Sequence, residues 1–233
     1  MRINGIDART YKARQLSAKI HPPTDAVEYD WNEGDLKPNV YESEEKAGEL
    51  ELVMYFVDRN KNEVRKRISE FLMQMHGAAE LELEGYEGTF YGMKRSATIE
   101  DTLEQNKKKL LVIMPGFLQG SKILKELKHL EQTYTVQGTR KSPCTVYMEN
   151  VTDHAEEIRI EGLTEKPIVV NVPAKKQIVI DGENGLVLMD GDNAFPNVVE
   201  MWEFPFVPQG TVTVKVSETK KIKTSIEYRP MWL

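Results

Sequence analysis

Cysteine is nearly absent from this chain. Its one thiol, Cys144, has no partner for an internal disulfide, and no Cys/His spacing resembles a zinc site. The four histidines, His21, His76, His129 and His154, are scattered through different local settings. No His-x-x-x-His helix, G-x-S-x-G turn or Cys–His pattern accompanies them. A catalytic or metal site would have to be assembled wholly by the fold, so no enzyme activity and no cofactor are expected. Long apolar runs are missing too. None approaches the roughly 18 residues of a membrane span, and no apolar signal core follows Met1, which predicts a soluble protein made in a reducing compartment. In that setting Asn150-Val151-Thr152, which fits a glycosylation sequon, is a strand-end coincidence.

An excess of positive charge is also lacking. The chain carries 31 basic and 37 acidic residues, a net of −6. Through Gly138 there are 20 basic and 23 acidic residues, and from Thr139 on there are 11 and 14, so neither part is a nucleic-acid footprint. The short basic clusters Arg65-Lys66-Arg67 and Lys107-Lys108-Lys109 lie among acids and read as solvated faces. Two tempting motifs fail on register. Asp190-Gly191-Asp192-Asn193 begins like a calcium loop, but Phe195 takes the glycine position and Met201 the glutamate position, leaving a β-turn. Gly85, Gly88 and Gly92 match neither a phosphate loop nor a dinucleotide fingerprint and read as hairpin glycines.

What the chain has in quantity is alternation. In its last third, Val212, Val214 and Val216 alternate with Thr211, Thr213, Lys215 and Ser217. Ile222, Thr224, Ile226 and Tyr228 alternate with Lys223, Ser225, Glu227 and Arg229. A two-residue period buries one set and wets the other, the pattern of an antiparallel sheet with one dry face. Turn residues at 181–185, 190–193 and 208–210 cut this region into short strands near 168–172, 177–181, 185–189, 198–206, 211–217 and 221–229. Two more precede them, at 145–149 and 156–161. About eight strands without a helical period predict a jelly roll or related β-sandwich over 139–233.

The part before it, 1–138, reads as a sheet with one helix. Strands are expected at 2–6, 14–20, 49–57, 79–83, 89–95 and 109–114, the last ended by Pro115-Gly116. Between 62 and 76 the period changes, with Val64, Ile68, Phe71, Leu72 and Met75 three or four apart and Gly77 as the stop. A second, short helix is expected over 121–130, followed by a link over 133–143. Asn32 to Gly48 is polar and acidic, a loop or exposed hairpin long enough to engage a partner.

Three aromatics, Trp202, Phe204 and Phe206, share one face of a candidate strand. Facing outward they would form a sugar-stacking patch; the size of the sandwich favours facing inward. A carbohydrate-binding module for bacterial cell-wall saccharides is thus the second functional reading.

The order of these parts resembles the siphophage distal tail protein family, the hub of the baseplate or tail tip. The resemblance starts at Ile3-Asn4-Gly5-Ile6-Asp7. It continues through the 49–57 strand, the 62–76 helix, the 80–95 hairpin and the strand closed by Pro115-Gly116-Phe117. In the second domain Val136-Gln137-Gly138-Thr139 with Ser142-Pro143, Ile178-Val179-Ile180-Asp181, Pro208-Gln209-Gly210, and Ile226 through Leu233 are similar to the family's junction, sandwich and terminus. The resemblance implies an N-terminal split-barrel sheet domain with one packed helix and a galectin-like C-terminal jelly roll. It further implies a homo-hexameric ring in the virion tail, produced in the bacterial host cytoplasm. The implied partners are the tail tube protein, the tail-associated lysin or tip protein and, in some cases, a receptor-binding protein. Neither an activity nor a cofactor is implied.

Overall fold

The computed structural model describes residues 1–23, 26–30, 39–44 and 46–232, the two short strands 26–30 and 39–44 by backbone alone. The chain is mainly β and divides into two compact units, Met1–Gln119 and Gly120–Trp232.

The first unit is an antiparallel sheet with one helix against its dry face. Its strands run in the order Ile6–Asp7, Arg2–Ile3, Ala78–Glu82, Thr89–Met93, Lys107–Gln119, Gly48–Val57 and Ala13–His21. The expected alternation holds on the central pair. Leu50, Leu52, Met54 and Phe56 of one strand and Leu110, Val112 and Met114 of the next have no exposed surface. The helix, Lys61–Met73, starts where Asn60 lends its side-chain oxygen to the amides of Asn62 (3.0 Å) and Glu63 (3.1 Å). It buries Val64, Ile68 and Phe71, and Phe71 meets Phe56 edge to face with centroids 5.5 Å apart. After Gln74, tightened turn bonds lead to Gly77, whose φ of +89° turns the chain into the next strand.

Strand Ala13–His21, at one edge of this sheet, is tied by hydrogen bonds to the turn between Ala78–Glu82 and Thr89–Met93. Gln15 donates to the Glu84 carbonyl (2.9 Å) and accepts from the Glu84 amide (3.0 Å). The Tyr86 hydroxyl donates to the Ala18 carbonyl (3.2 Å). Strand Ala13–His21 shifts register between Gln15 and Ser17, and Leu16 is left half exposed.

Pro115-Gly116 does not end a strand, contrary to the sequence expectation. Lys107–Gln119 runs straight through it, pairing with Gly48–Val57 along one edge and with Ser96–Asp101 and then Thr89–Met93 along the other. Proline is tolerated there because the neighbouring chain breaks at Lys94 and Arg95, between those two strands. Ser96–Asp101, a strand unmarked in the sequence, is exposed at every residue. At the crossing, Gly48, Gly116 and Gly92 stand in one row across three strands. A Cβ on Gly116 would lie 2.2 Å from the Tyr91 carbonyl oxygen, and one on Gly92 2.4 Å from that of Pro115.

The second unit is a two-sheet sandwich. One sheet runs Ile123–Leu127, Ile222–Tyr228, Ser142–Asn150, Gln177–Asp181, Leu186–Met189 and Asp192–Asn193. The other runs Glu131–Val136, Gly210–Val216, Glu156–Glu161, Ile168–Val172 and Val198–Glu200. Val146, Met148, Ile178, Ile180 and Ile226 face Ile158, Ile160, Val170, Val172 and Val214 in one core. Asn150 is buried and its amide donates to the carbonyls of His154 (2.9 Å) and Val172 (2.8 Å), which gives it a structural task inside the fold.

Three expectations fail in this unit. The helix expected over 121–130 is the strand Ile123–Leu127, in register with Tyr228 through Thr224. Its apolar residues satisfied a helical period, yet Leu124 and Leu130 are exposed, and a partner strand decides the matter. The expected link holds the strand Glu131–Val136. These two strands place 120–138 in the second unit, so the division comes after Gln119, not after Gly138. The strand expected over 198–206 exists only as Val198–Glu200 and Phe206–Val207; a register shift at Val169/Val170 and Pro205 break it.

The glycine row yields a test. Gly116→Val, which would drive side-chain atoms into the backbone of the adjacent strand, should lower the unfolding free energy by about 3 kcal/mol, while Gly5→Ala, which meets no neighbouring atom and is strained only by its φ of +78°, should cost about 1 kcal/mol. Urea denaturation of the two variants checks it; equal losses would mean the row is not a packing constraint.

Candidate functional site

Among the described residues the polar side chains lie mostly on edges and outer faces, with Asp58, Lys108, Gln119, Ser142, Asn150 and Thr224 the buried ones. Among the described residues no three His, Cys, Asp or Glu side chains are grouped so as to hold a metal ion. His21 pairs with Glu51 at 3.8 Å and His154 with Glu156 at 2.6 Å, on separate units. Cys144 is buried in the sandwich core, and burial pushes its thiol pKa up, away from the reactive thiolate. Asp190 and Gly191, with φ of +53° and +90°, form the two-residue turn of a hairpin, and Lys176 holds the Asp190 carboxylate at 2.6 Å.

The three aromatics do not share a face. Trp202 is 72% exposed, with the Lys166 ammonium 3.8 Å from its ring centroid and its indole N–H donated to Glu200 (3.2 Å). Phe204 packs on the sandwich core, and Phe206 lies under the Lys141 ammonium at 5.3 Å. The irregular stretch 201–205 is the reason: without a strand there is no period of two to align them.

Two features of the first unit carry the unusual electrostatics. At the mouth of the helix, the nearly buried Asp58 receives the Lys12 ammonium at 2.6 Å, the Arg59 amide at 2.7 Å and the Arg67 guanidinium at 3.3 Å. The Lys12 hydrogen bond is the largest of these effects, and together they hold the Asp58 carboxyl down at about 2 against an ordinary value of 3.8. Lys12 itself sits in the left-handed region, with φ of +52°, closing the short 3-10 turn Ala8–Tyr11. The second feature is Lys108, buried on the core face beyond Leu110. Its ammonium reaches the Asp101 carboxylate directly across the ladder and lowers the pKa of that group. The pair pins down Ser96–Asp101, a strand whose other edge meets no strand among the described residues.

Neither feature was marked in the sequence. Lys108 stood within a lysine cluster read as solvated, and only its alternation with Leu110, Val112 and Met114 could have shown that it points inward. The acidic stretch 32–48 is only partly visible: Asn39–Glu44 pairs with Ala26–Asp30 as a separate two-stranded ribbon, and 32–38 and 45 lie outside the described residues.

The architecture is thus that of a mainly β protein of two units, an antiparallel sheet with one packed helix and a two-sheet sandwich. Residues 137–232 match the model of the siphovirus-type tail component, C-terminal domain. The whole chain superposes on the Dit protein of phage SPP1, described as a paradigm of the hub adsorption apparatus in phages infecting Gram-positive bacteria. The TM-score is 0.75 at 14% identity, covering 99% of this chain and 98% of that one. Chains of the phage P2 baseplate in its activated conformation match with TM-scores of 0.53, with calcium, and 0.51, with strontium. Both are 9% identical and cover 90% of the matched chain, against 94% and 93% of this one. No curated protein matches in sequence. Residues 137–232 thus match the model of the siphovirus-type tail component family, and over its length the chain has the fold of the SPP1 Dit protein.

The Asp58 cluster gives a pH test. Because the folded pKa is depressed, its contribution to stability is complete above about pH 5 and is lost as the pH falls from about 4 towards 2. The stability difference between the native chain and Asp58→Asn should therefore be constant from pH 5 to 8 and shrink below pH 4. A difference that stayed constant down to pH 2, in urea titrations, would contradict the assignment.

Proposed function

We propose that this chain is a structural subunit of a siphovirus-like tail tip or baseplate, a hub that joins the tail tube to the tip and receptor-binding proteins. The observation that carries the reading is the match of 137–232 to the tail-component family, on a chain whose full length takes the hub fold. The physical features agree. The edge of Ser96–Asp101 that meets no strand among the described residues, a liability in a monomer, is useful where copies meet. The ring is homo-hexameric in this reading. Its neighbours in the virion are the tail tube protein, the tail-associated lysin or tip protein and a receptor-binding protein, and no covalent chemistry is performed.

Of the three aromatics, Trp202 alone retains sugar binding as a second reading, on the strength of its exposed ring. Titration of its fluorescence with cell-wall saccharides tests this, and an unchanged signal would remove it.

The acidic segment 32–48 is assigned to contacts between copies. Deleting Leu36 to Lys46 should shift native mass spectra from a ring-sized species to smaller ones. An unchanged oligomer mass would make that assignment wrong.

A further inference from the structure

The sandwich sheet that contains Ser142–Asn150 carries a groove on its outer face. Its volume is about 520 Å³, within the roughly 300–1,000 Å³ of small-molecule sites. Strand register sets its walls in two adjacent rows. Glu126, Ser225 and Tyr147 stand side by side across three strands, and Lys223, Glu149 and Gln177 do the same one step along. The two-residue period turns all six away from the core that Val146, Met148, Ile178 and Ile226 help to fill.

These rows are notable for what they leave unpaired. Lys223 and Gln177 flank Glu149 on its two neighbouring strands, within reach of its carboxylate. Among the described residues none of the three side chains makes a hydrogen bond or ion pair. On the other sheet of the sandwich a glutamate and a lysine in the same relation do pair, Glu131 with Lys215 at 3.3 Å. The Tyr147 hydroxyl also has no partner among the described residues, and burial raises its pKa, which keeps it a neutral donor. One wall is braced in advance. Thr219 lines the groove from the turn after Gly210–Val216, where the Glu218 carboxylate accepts the amides of Thr219 (2.8 Å), Lys220 (2.6 Å) and Lys221 (3.3 Å). A wall held in this way need not be ordered on binding.

The chemistry of the walls selects the ligand. Two carboxylates, Glu126 and Glu149, are balanced by two ammoniums, Lys128 and Lys223, so an ionic ligand gains little there. The strands beneath, Ser142–Asn150 and Ile222–Tyr228, are each paired along both edges, so no peptide can be held by strand addition. A ligand dense in hydroxyls meets what is left. The ammonium of Lys223 or the amide of Gln177 donates to a hydroxyl oxygen, and that hydroxyl donates to Glu149, while C–H groups lie on the Tyr147 ring. We propose that this groove binds a neutral saccharide, held by Tyr147, Glu149, Gln177 and Lys223. Trp202 is not among its walls, and the inference does not depend on the hub reading.

Saturation-transfer NMR of the full chain with maltose, cellobiose, lactose and N,N′-diacetylchitobiose tests it. At least one of the four is expected to bind. Glu149→Ala and Gln177→Ala should each weaken that binding by about tenfold, and Trp202→Ala should leave it unchanged. Circular dichroism melts of each variant confirm that it folds. Silence from all four sugars at about 10 mM would overturn the proposal. Binding that survives Glu149→Ala combined with Gln177→Ala would overturn it too, and loss on Trp202→Ala alone would move the site to that ring. None of these results alters the oligomer mass, so the hub reading stands or falls separately.

Discussion

The strand Lys107–Gln119 holds the first unit together. It pairs along most of its length with Gly48–Val57 and, on its other edge, with two strands in succession. Its inward residues Leu110, Val112 and Met114 help build the apolar floor on which the helix rests. Continuity through Pro115-Gly116 is what this arrangement requires, and the glycine row supplies it by letting three backbones approach where a side chain would not fit. A sheet braced in this way presents its outer rows, such as Arg14, Tyr55 and Lys109, at fixed spacing.

Charge is arranged around that frame with a consistent logic. Asp58 gathers Lys12 and Arg67 where the helix begins, so the 3-10 turn, the strand end and the helix are joined at one nearly buried carboxylate. Lys108 performs the matching task at the open strand Ser96–Asp101. In each case one member is buried and the other reaches it from the surface, an arrangement in which removing one partner leaves the other uncompensated. Other charges pair with one another on the outer faces, as Arg95 does with Glu49 and Lys122 with Glu227, both at 2.6 Å.

Much of this was legible in the sequence because burial follows period. The helix over Val64, Ile68 and Phe71, and the strands around Leu50, Val146, Ile178, Val214 and Ile226, declare themselves by alternation or by the helical repeat. The failures share a cause. Ile123–Leu127 and Lys107–Gln119 are settled by partners distant in sequence, since Tyr228 registers the first and Gly48 and Gly92 permit the second to continue past its proline. Local patterns carry no record of such pairing. Trp202, Phe204 and Phe206 scatter for the opposite reason: the strand that would have aligned them is broken at Pro205. The groove of Tyr147, Glu149 and Gln177 was invisible because it is assembled from separate strands whose adjacency only the register fixes.

The central claim is that copies of this chain associate with one another to make a ring, and that shape is the function. Negative-stain electron microscopy of the purified full chain tests it most directly. The account predicts closed rings whose class averages show six-fold symmetry; a field of isolated monomers at micromolar concentration would contradict it.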